Sequence, residues 1–214
     1  MDLQNKAGWI EVIVGSMYAG KTEEFLRRIK RINYAKKDVL VFKPKIDNRY
    51  SSSEIVSHNN SRVNSIEIVS ANDVYDYIKD GFPYAVAIDE VQFLDKDIIY
   101  LAEYLADNGV RVILAGLDKN FRGEPFGIVP ELLARAEFVT KLEAICQVCG
   151  APATRTQRII NGKPASYNDP VILVGAKESY EARCRHCHIV RDKPSGRWCS
   201  FYKWSNKWSN DCLL

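Results

Sequence analysis

No apolar run in the 214-residue sequence approaches the roughly 18 to 20 residues that a membrane-spanning helix requires. The first residues, Met1-Asp2-Leu3-Gln4-Asn5-Lys6, lack the apolar core of a secretory signal, so a cytoplasmic protein without a membrane partner is expected. Charge of one sign is also scarce. Thirty Lys and Arg against 27 Asp and Glu leave +3, too little by itself to imply binding to nucleic acid or to an anionic membrane. A disulfide framework is missing as well, because four of the six cysteines fall into two C-x-x-C pairs, Cys146/Cys149 and Cys184/Cys187. What remains is ordinary for a globular chain with a sizeable core: 46% hydrophobic and 27% charged residues. Length favours one large domain and a small appendage.

The most informative stretch is Gly15-Ser16-Met17-Tyr18-Ala19-Gly20-Lys21-Thr22, a G-x-x-x-x-G-K-[ST] loop. Its glycines let the backbone curl so that successive N–H groups point inward, forming an anion-binding nest at a helix start. Lys21 then reaches the β- and γ-phosphates, and the Thr22 hydroxyl is suited to ligate magnesium. The apolar run Trp9 to Val14 before it and the amphipathic stretch Glu23 to Lys37 after it supply strand, loop and helix in the required order. The competing reading is a chance glycine-rich turn before a helix.

Further along, Asp38 to Phe42 reads as a buried strand ending at Lys43-Pro44, and Ser65 to Val69 as a third. Between them lies the polar stretch Lys45 to Ser53, continuing through His58 to Arg62, either a loop over the site or a solvated one. A helix is expected over Ser70 to Lys79 with Asn72 as cap. Tyr84 to Ile88 then runs into Asp89-Glu90, a Walker B pattern that would direct Asp89 to magnesium and Glu90 to the nucleophile; two surface acids after a strand are the alternative. Asp97 to Asp107 reads as helix closed by Gly109, Val110 to Gly116 as strand, Pro130 to Ala136 as helix and Phe138 to Leu142 as strand. The exit of the Val110 strand, Leu117 to Gly127, mixes aromatics, charges and glycines and could wall a pocket for an aromatic ligand. The alternation predicts an α/β fold with a mostly parallel sheet covered on both faces.

Cys146, Cys149, Cys184 and Cys187 offer four thiolates for one tetrahedral zinc, which leaves no open position for water and so points to a structural ion. Redox C-x-x-C pairs, or His186 or His188 in place of a cysteine, are the alternatives. Zinc would clamp the feet of the intervening segment, which holds a hairpin candidate at Ile159 to Lys163 and the apolar run Val171 to Gly175. In the tail, Trp198, Phe201, Tyr202, Trp204 and Trp208 stand among lysines. They could stack single-stranded nucleic acid or pack on the body or a neighbouring subunit.

Taken in order, G-S-M-Y-A-G-K-T, D-N-R-Y (Asp47 to Tyr50), D-E-V-Q-F (Asp89 to Phe93), G-L-D-K-N-F-R-G-E-P-F (Gly116 to Phe126) and C-R-H-C make the chain resemble the thymidine kinases of the small, zinc-containing cytosolic class, from about Gly8 to about His188. The resemblance implies a RecA-like P-loop domain over 1–143, a zinc-binding domain with a lasso-like nucleoside loop over 144–190, and a tail over 191–214. It implies transfer of the ATP γ-phosphate to the 5′-hydroxyl of thymidine, and of deoxyuridine, with Glu90 as general base, Lys21 neutralising charge and Arg49 as cationic clamp. ATP and magnesium would be held by Gly15, Ser16, Met17, Tyr18, Ala19, Gly20, Lys21, Thr22, Asp89 and Gln92. The nucleoside would meet Met17, Asp47, Phe93, Leu117, Phe121, Phe126, Thr156, Arg158 and Tyr180, and Val171, Ile172, Leu173, Val174 and Gly175 would close over the base through backbone hydrogen bonds. Here Val174-Gly175-Ala176 stands where the family usually shows two glycines before the alanine. The resemblance also implies a homotetramer, feedback inhibition by dTTP and no nucleic-acid partner. A nucleic-acid-dependent RecA-like ATPase is the rival reading, and a non-catalytic zinc-knuckle binding module a second.

Overall fold

A computed structural model describes residues 8–45, 54–56, 62–172 and 178–194. The chain opens with β1 (Trp9–Gly15), α1 (Lys21–Tyr34) and β2 (Val39–Pro44). Short strands β3 (Glu54–Val56) and β4 (Arg62–Asn64) pair with each other before β5 (Ile66–Ile68). A 3₁₀ turn (Ala71–Val74) runs into α2 (Tyr75–Ile78), followed by β6 (Ala85–Ile88) and a second 3₁₀ turn (Val91–Phe93). Then come α3 (Asp97–Asp107), β7 (Arg111–Leu117), α4 (Val129–Arg135) and β8 (Phe138–Leu142). The remainder is β9 (Ala144–Ile145), β10 (Pro152–Ala153), β11 (Arg155–Ile160), β12 (Lys163–Pro164) and β13 (Glu178–Arg183).

Six strands form one sheet in the order β5-β2-β6-β7-β1-β8, and every pairing in it is parallel. Parallel strands buried on both faces need apolar side chains in both directions. β1 supplies them: Ile10, Val12 and Val14 pack with α3 and α4, while Ile13 packs with Phe25, Leu26, Ile29 and Ile32 of α1. Each of those four α1 side chains is buried, which stabilises by about 2 kcal/mol per residue. The sheet is the expected α/β fold with helices on both faces. Beyond it, β9 pairs with β10, and β11 pairs with both β12 and β13 around the four cysteines.

One local expectation changes. The helix expected over Ser70 to Lys79 divides into the 3₁₀ turn and the single turn of α2. Ser70 rather than Asn72 caps it, because the Asp73 carboxylate takes the Val69 N–H at 2.7 Å and the Ser70 N–H at 3.1 Å. Asn72 instead donates to Asp97 Oδ2 at 2.7 Å, pinning the turn to the start of α3. β2 ends at Pro44, as expected of a residue that cannot extend the ladder, and Lys45 beyond it donates to the Ile68 carbonyl at 2.9 Å. The expected hairpin is present, β11 turning at Asn161-Gly162 into β12.

Candidate active site

Parallel strands put their loops on one edge, and neighbours in the sheet put them side by side. β6, β7 and β1 are consecutive neighbours, so their carboxyl ends bring together Asp89-Glu90, Leu117 and the loop after Gly15. Gly20 holds φ 82°, a left-handed state that glycine enters without steric cost, and α1 starts at the next residue. The first N–H groups of α1 therefore face the loop, as an anion site at a helix start requires.

A cavity of about 380 Å³ opens at this edge, in the size range of small-molecule sites. Its lining includes Met17, Tyr18, Lys21, Thr22, Glu90, Phe93, Leu117, Phe121, Phe126, Thr156, Arg158, Val171, Ile172 and Tyr180. The expected substrate residues that fall within the described chain thus share one space. Lys119 and Asn120 line it too; sequence reading did not single them out, although they stand inside the G-L-D-K-N-F motif. Among the described residues, Gly15, Ser16, Ala19, Gly20, Asp89 and Gln92 lie outside the lining. Asp47, Arg49, Leu173, Val174 and Gly175 lie outside the described residues.

The charged groups are tightly enclosed. Lys21 is buried and donates to the Ser16 carbonyl at 2.9 Å, folding its ammonium onto the loop. Desolvation holds its pKa below the ordinary lysine value, opposed by the negative charges of Glu90, Asp89 and Asp118. Asp89 is buried, and desolvation together with the neighbouring Glu90 charge pushes its carboxyl above the usual range, although its Oδ1 accepts the Glu90 N–H at 2.9 Å. Two adjacent carboxylates with one lysine leave negative charge that a divalent cation would offset. Glu90 and the Thr22 hydroxyl line the cavity and Asp89 directly precedes Glu90 outside the lining; oxygen donors of this kind are compatible with magnesium.

The small sheets reach the site through hydrogen bonds. Ser16 Oγ donates to the Ala153 carbonyl at 3.2 Å, and the Met17 N–H donates to Thr156 Oγ1 at 3.0 Å. Buried Arg158 lies over the Phe121 ring at 4.2 Å and donates to the carbonyls of Pro170 and Val171, both at 2.5 Å. It therefore holds the chain at Pro170 and Val171 as well as lining the cavity.

Cys146, Cys149, Cys184 and Cys187 bring their Sγ atoms within 4.8 Å of one another. Cys149 and Cys184 are 3.6 Å apart, close to the edge of about 3.8 Å that a tetrahedron with zinc–sulfur bonds of about 2.3 Å requires. Desolvation raises the Cys146 thiol, but backbone N–H groups of Cys184, Val148 and Cys149 outweigh it and bring the pKa down to about 6. The cluster is compatible with structural zinc. His188, an alternative ligand in sequence, instead places Nε2 2.9 Å from the Phe121 carbonyl.

Among the described residues no helix is long and apolar enough to cross a membrane. The thymidine kinase family model matches residues 8–188, which takes in the Gly15–Thr22 loop, the cavity and the cysteine cluster, and the chain belongs to the thymidine kinase family.

Proposed function

We propose that the chain transfers the γ-phosphoryl group of ATP to the 5′-hydroxyl of thymidine, and of deoxyuridine, in nucleotide salvage. The observation that carries this reading is a single cavity whose lining runs from Lys21 and Thr22 past Glu90 to Phe93, Phe121 and Phe126. Phosphate-binding groups, a carboxylate and aromatic walls face the same space, as transfer between a triphosphate and a nucleoside demands.

In this reading Glu90 accepts the proton of the 5′-hydroxyl as that oxygen bonds to the γ-phosphorus. The bond from phosphorus to the β,γ-bridging oxygen breaks, and ADP leaves. Lys21 offsets charge on the transferred group. Thr22 and Asp89 would hold magnesium, which when bound supplies charge neutralisation on the phosphates. Arg49 and Asp47, from the D-N-R-Y motif, are assigned to the reacting centre on the resemblance alone. Phe93, Leu117, Phe121 and Phe126 shield the base, and the loop from Val171 closes over it to exclude water from ATP.

Zinc on the four cysteines would fix the feet of that loop. The division at about residue 143 belongs to the same reading, supported by the sheet ending at Leu142 and the cysteine cluster beginning at Cys146. On the resemblance we extend it to a cytoplasmic homotetramer inhibited by dTTP. The test is incubation with ATP, magnesium and a panel of nucleosides, followed by detection of monophosphates. Thymidine monophosphate is expected; ATP hydrolysis stimulated by single-stranded DNA without any monophosphate would overturn the reading.

A further inference from the structure

Glu90 occupies a left-handed backbone state, φ 52°, directly after Asp89 at the end of β6. A non-glycine residue stays in that state only where its surroundings hold it. Part of the hold is local: the Glu90 N–H donates to Asp89 Oδ1 at 2.9 Å, and the Glu90 carbonyl accepts the Phe93 N–H at 3.1 Å. The rest comes from Gln92. Its Nε2 donates to Glu90 Oε2, while its Oε1 accepts the Leu117 N–H at 3.0 Å. Because the Leu117 amide can only donate, it fixes which end of the Gln92 amide faces the carboxylate.

Gln92 is 5% exposed and, among the described residues, outside the cavity lining, whereas Glu90 and Leu117 are both in it. Its side-chain amide is bonded to both of these cavity residues. The backbone at Gly116 is shaped around it: a Cβ there would lie 2.4 Å from Gln92 Oε1. The two ends of the amide thus tie the turn after β6 to the last residue of β7.

We infer that Gln92 is a positioning residue for phosphoryl transfer, holding the Glu90 carboxylate in register with the Leu117 wall of the nucleoside cavity. This rests on the reading of Glu90 as general base. A glutamate has three side-chain torsions, and a hydrogen bond that occupies Oε2 restricts them while leaving proton acceptance to Oε1. Misplacement of a reacting group by about 1 Å costs on the order of 100-fold in rate.

The test uses the full-length, zinc-loaded protein. Gln92→Glu keeps an acceptor for the Leu117 N–H but turns a second carboxylate toward Glu90. It is expected to lower kcat about 10- to 100-fold while KM for ATP and thymidine and zinc content stay within about twofold of the parent. Gln92→Met, which loses both bonds at similar volume, should give the same split and serves if Gln92→Glu does not fold. In a Glu90→Gln background neither change should lower kcat further, because the positioned group is already gone. Unchanged kcat, a rise in KM alone, or losses that multiply with Glu90→Gln would overturn the positioning role. If Glu90→Gln is inactive and the Gln92 variants are normal, only that role falls; if Glu90→Gln retains full turnover, the base reading falls and takes the positioning role with it.

Discussion

Met17 in the glycine-flanked loop after β1 and Thr156 in β11 are joined by a hydrogen bond of 3.0 Å, Met17 N–H donating to Thr156 Oγ1. They stand 139 positions apart in sequence, and both line the cavity. The bond makes the loop after β1 and strand β11 parts of one wall.

Thr156→Val removes the acceptor at nearly constant volume and leaves the Met17 N–H without it. Such a loss costs about 1 kcal/mol, or roughly fivefold in affinity. Titration calorimetry should show ATP and thymidine both weakened by about that factor, with Thr156→Ser close to the parent. A change confined to thymidine would mean that the bond does not couple the two subsites.

Metal removal should act on the nucleoside side first. Elemental analysis is expected to find about one zinc per chain, as one four-thiolate site holds. Cys146 also donates its N–H to the Ala151 carbonyl at 2.8 Å, and Gln147 to the Ala182 carbonyl at 3.0 Å, so the first knuckle is bonded to β13, which carries Tyr180 and pairs with β11, the strand of Arg158. Chelation should lower the melting temperature and weaken thymidine by about tenfold or more, since metal binding and local folding are coupled. Folded, active protein without metal would count against structural zinc.

Glu90→Gln keeps the shape of the side chain and removes its basicity. A general base contributes about 100- to 10,000-fold, so kcat should fall within that range. ATP affinity should stay near the parent value, because no phosphate contact is assigned to Glu90. Single-turnover kinetics with separately measured ATP binding distinguishes this from a binding defect.

Much of this was legible in sequence because spacing carried it. G-x-x-x-x-G-K-T, two C-x-x-C pairs and an apolar run ending in Asp89-Glu90 each state their geometry locally. Side-chain partners were less legible where burial rather than spacing decides. Gln92 sits in a motif that suggests a cofactor contact, yet its amide has a carboxylate on one side and the Leu117 N–H on the other, a pairing set by the neighbouring strand. Arg158 likewise reads as a ligand contact, while its hydrogen bonds to Pro170 and Val171 depend on where the chain returns twelve residues later. The helix expected over Ser70 to Lys79 is there only as a 3₁₀ turn and the single turn of α2, a division that its apolar spacing did not announce.

Glu11 provides a stability test away from the site. It is 5% exposed in β1, and its carboxylate accepts from Arg28 Nη1 at 2.6 Å, Arg111 Nε at 2.6 Å and Trp9 Nε1 at 2.6 Å. Burial alone would raise its pKa; the hydrogen bonds from Arg111 and Trp9 and the charges of Arg111 and Arg28 outweigh it and hold the carboxyl below the ordinary glutamate range. Glu24, with Arg27 and Arg28, is lowered further, to about 2. A carboxyl whose folded pKa lies below its unfolded one binds fewer protons when folded, so its contribution is complete above the unfolded value near 4.5 and is lost as pH falls through the folded pKa. Denaturant unfolding should therefore show stability falling from about pH 5 toward pH 2. Glu11→Gln leaves Arg28 and Arg111 facing a neutral group in a buried setting, with an expected loss of about 3 kcal/mol at pH 7. The loss should shrink as pH drops, because the parent then protonates the same carboxyl. A difference that stays constant from pH 7 to pH 3 would show that Glu11 stabilises by packing rather than by its charge.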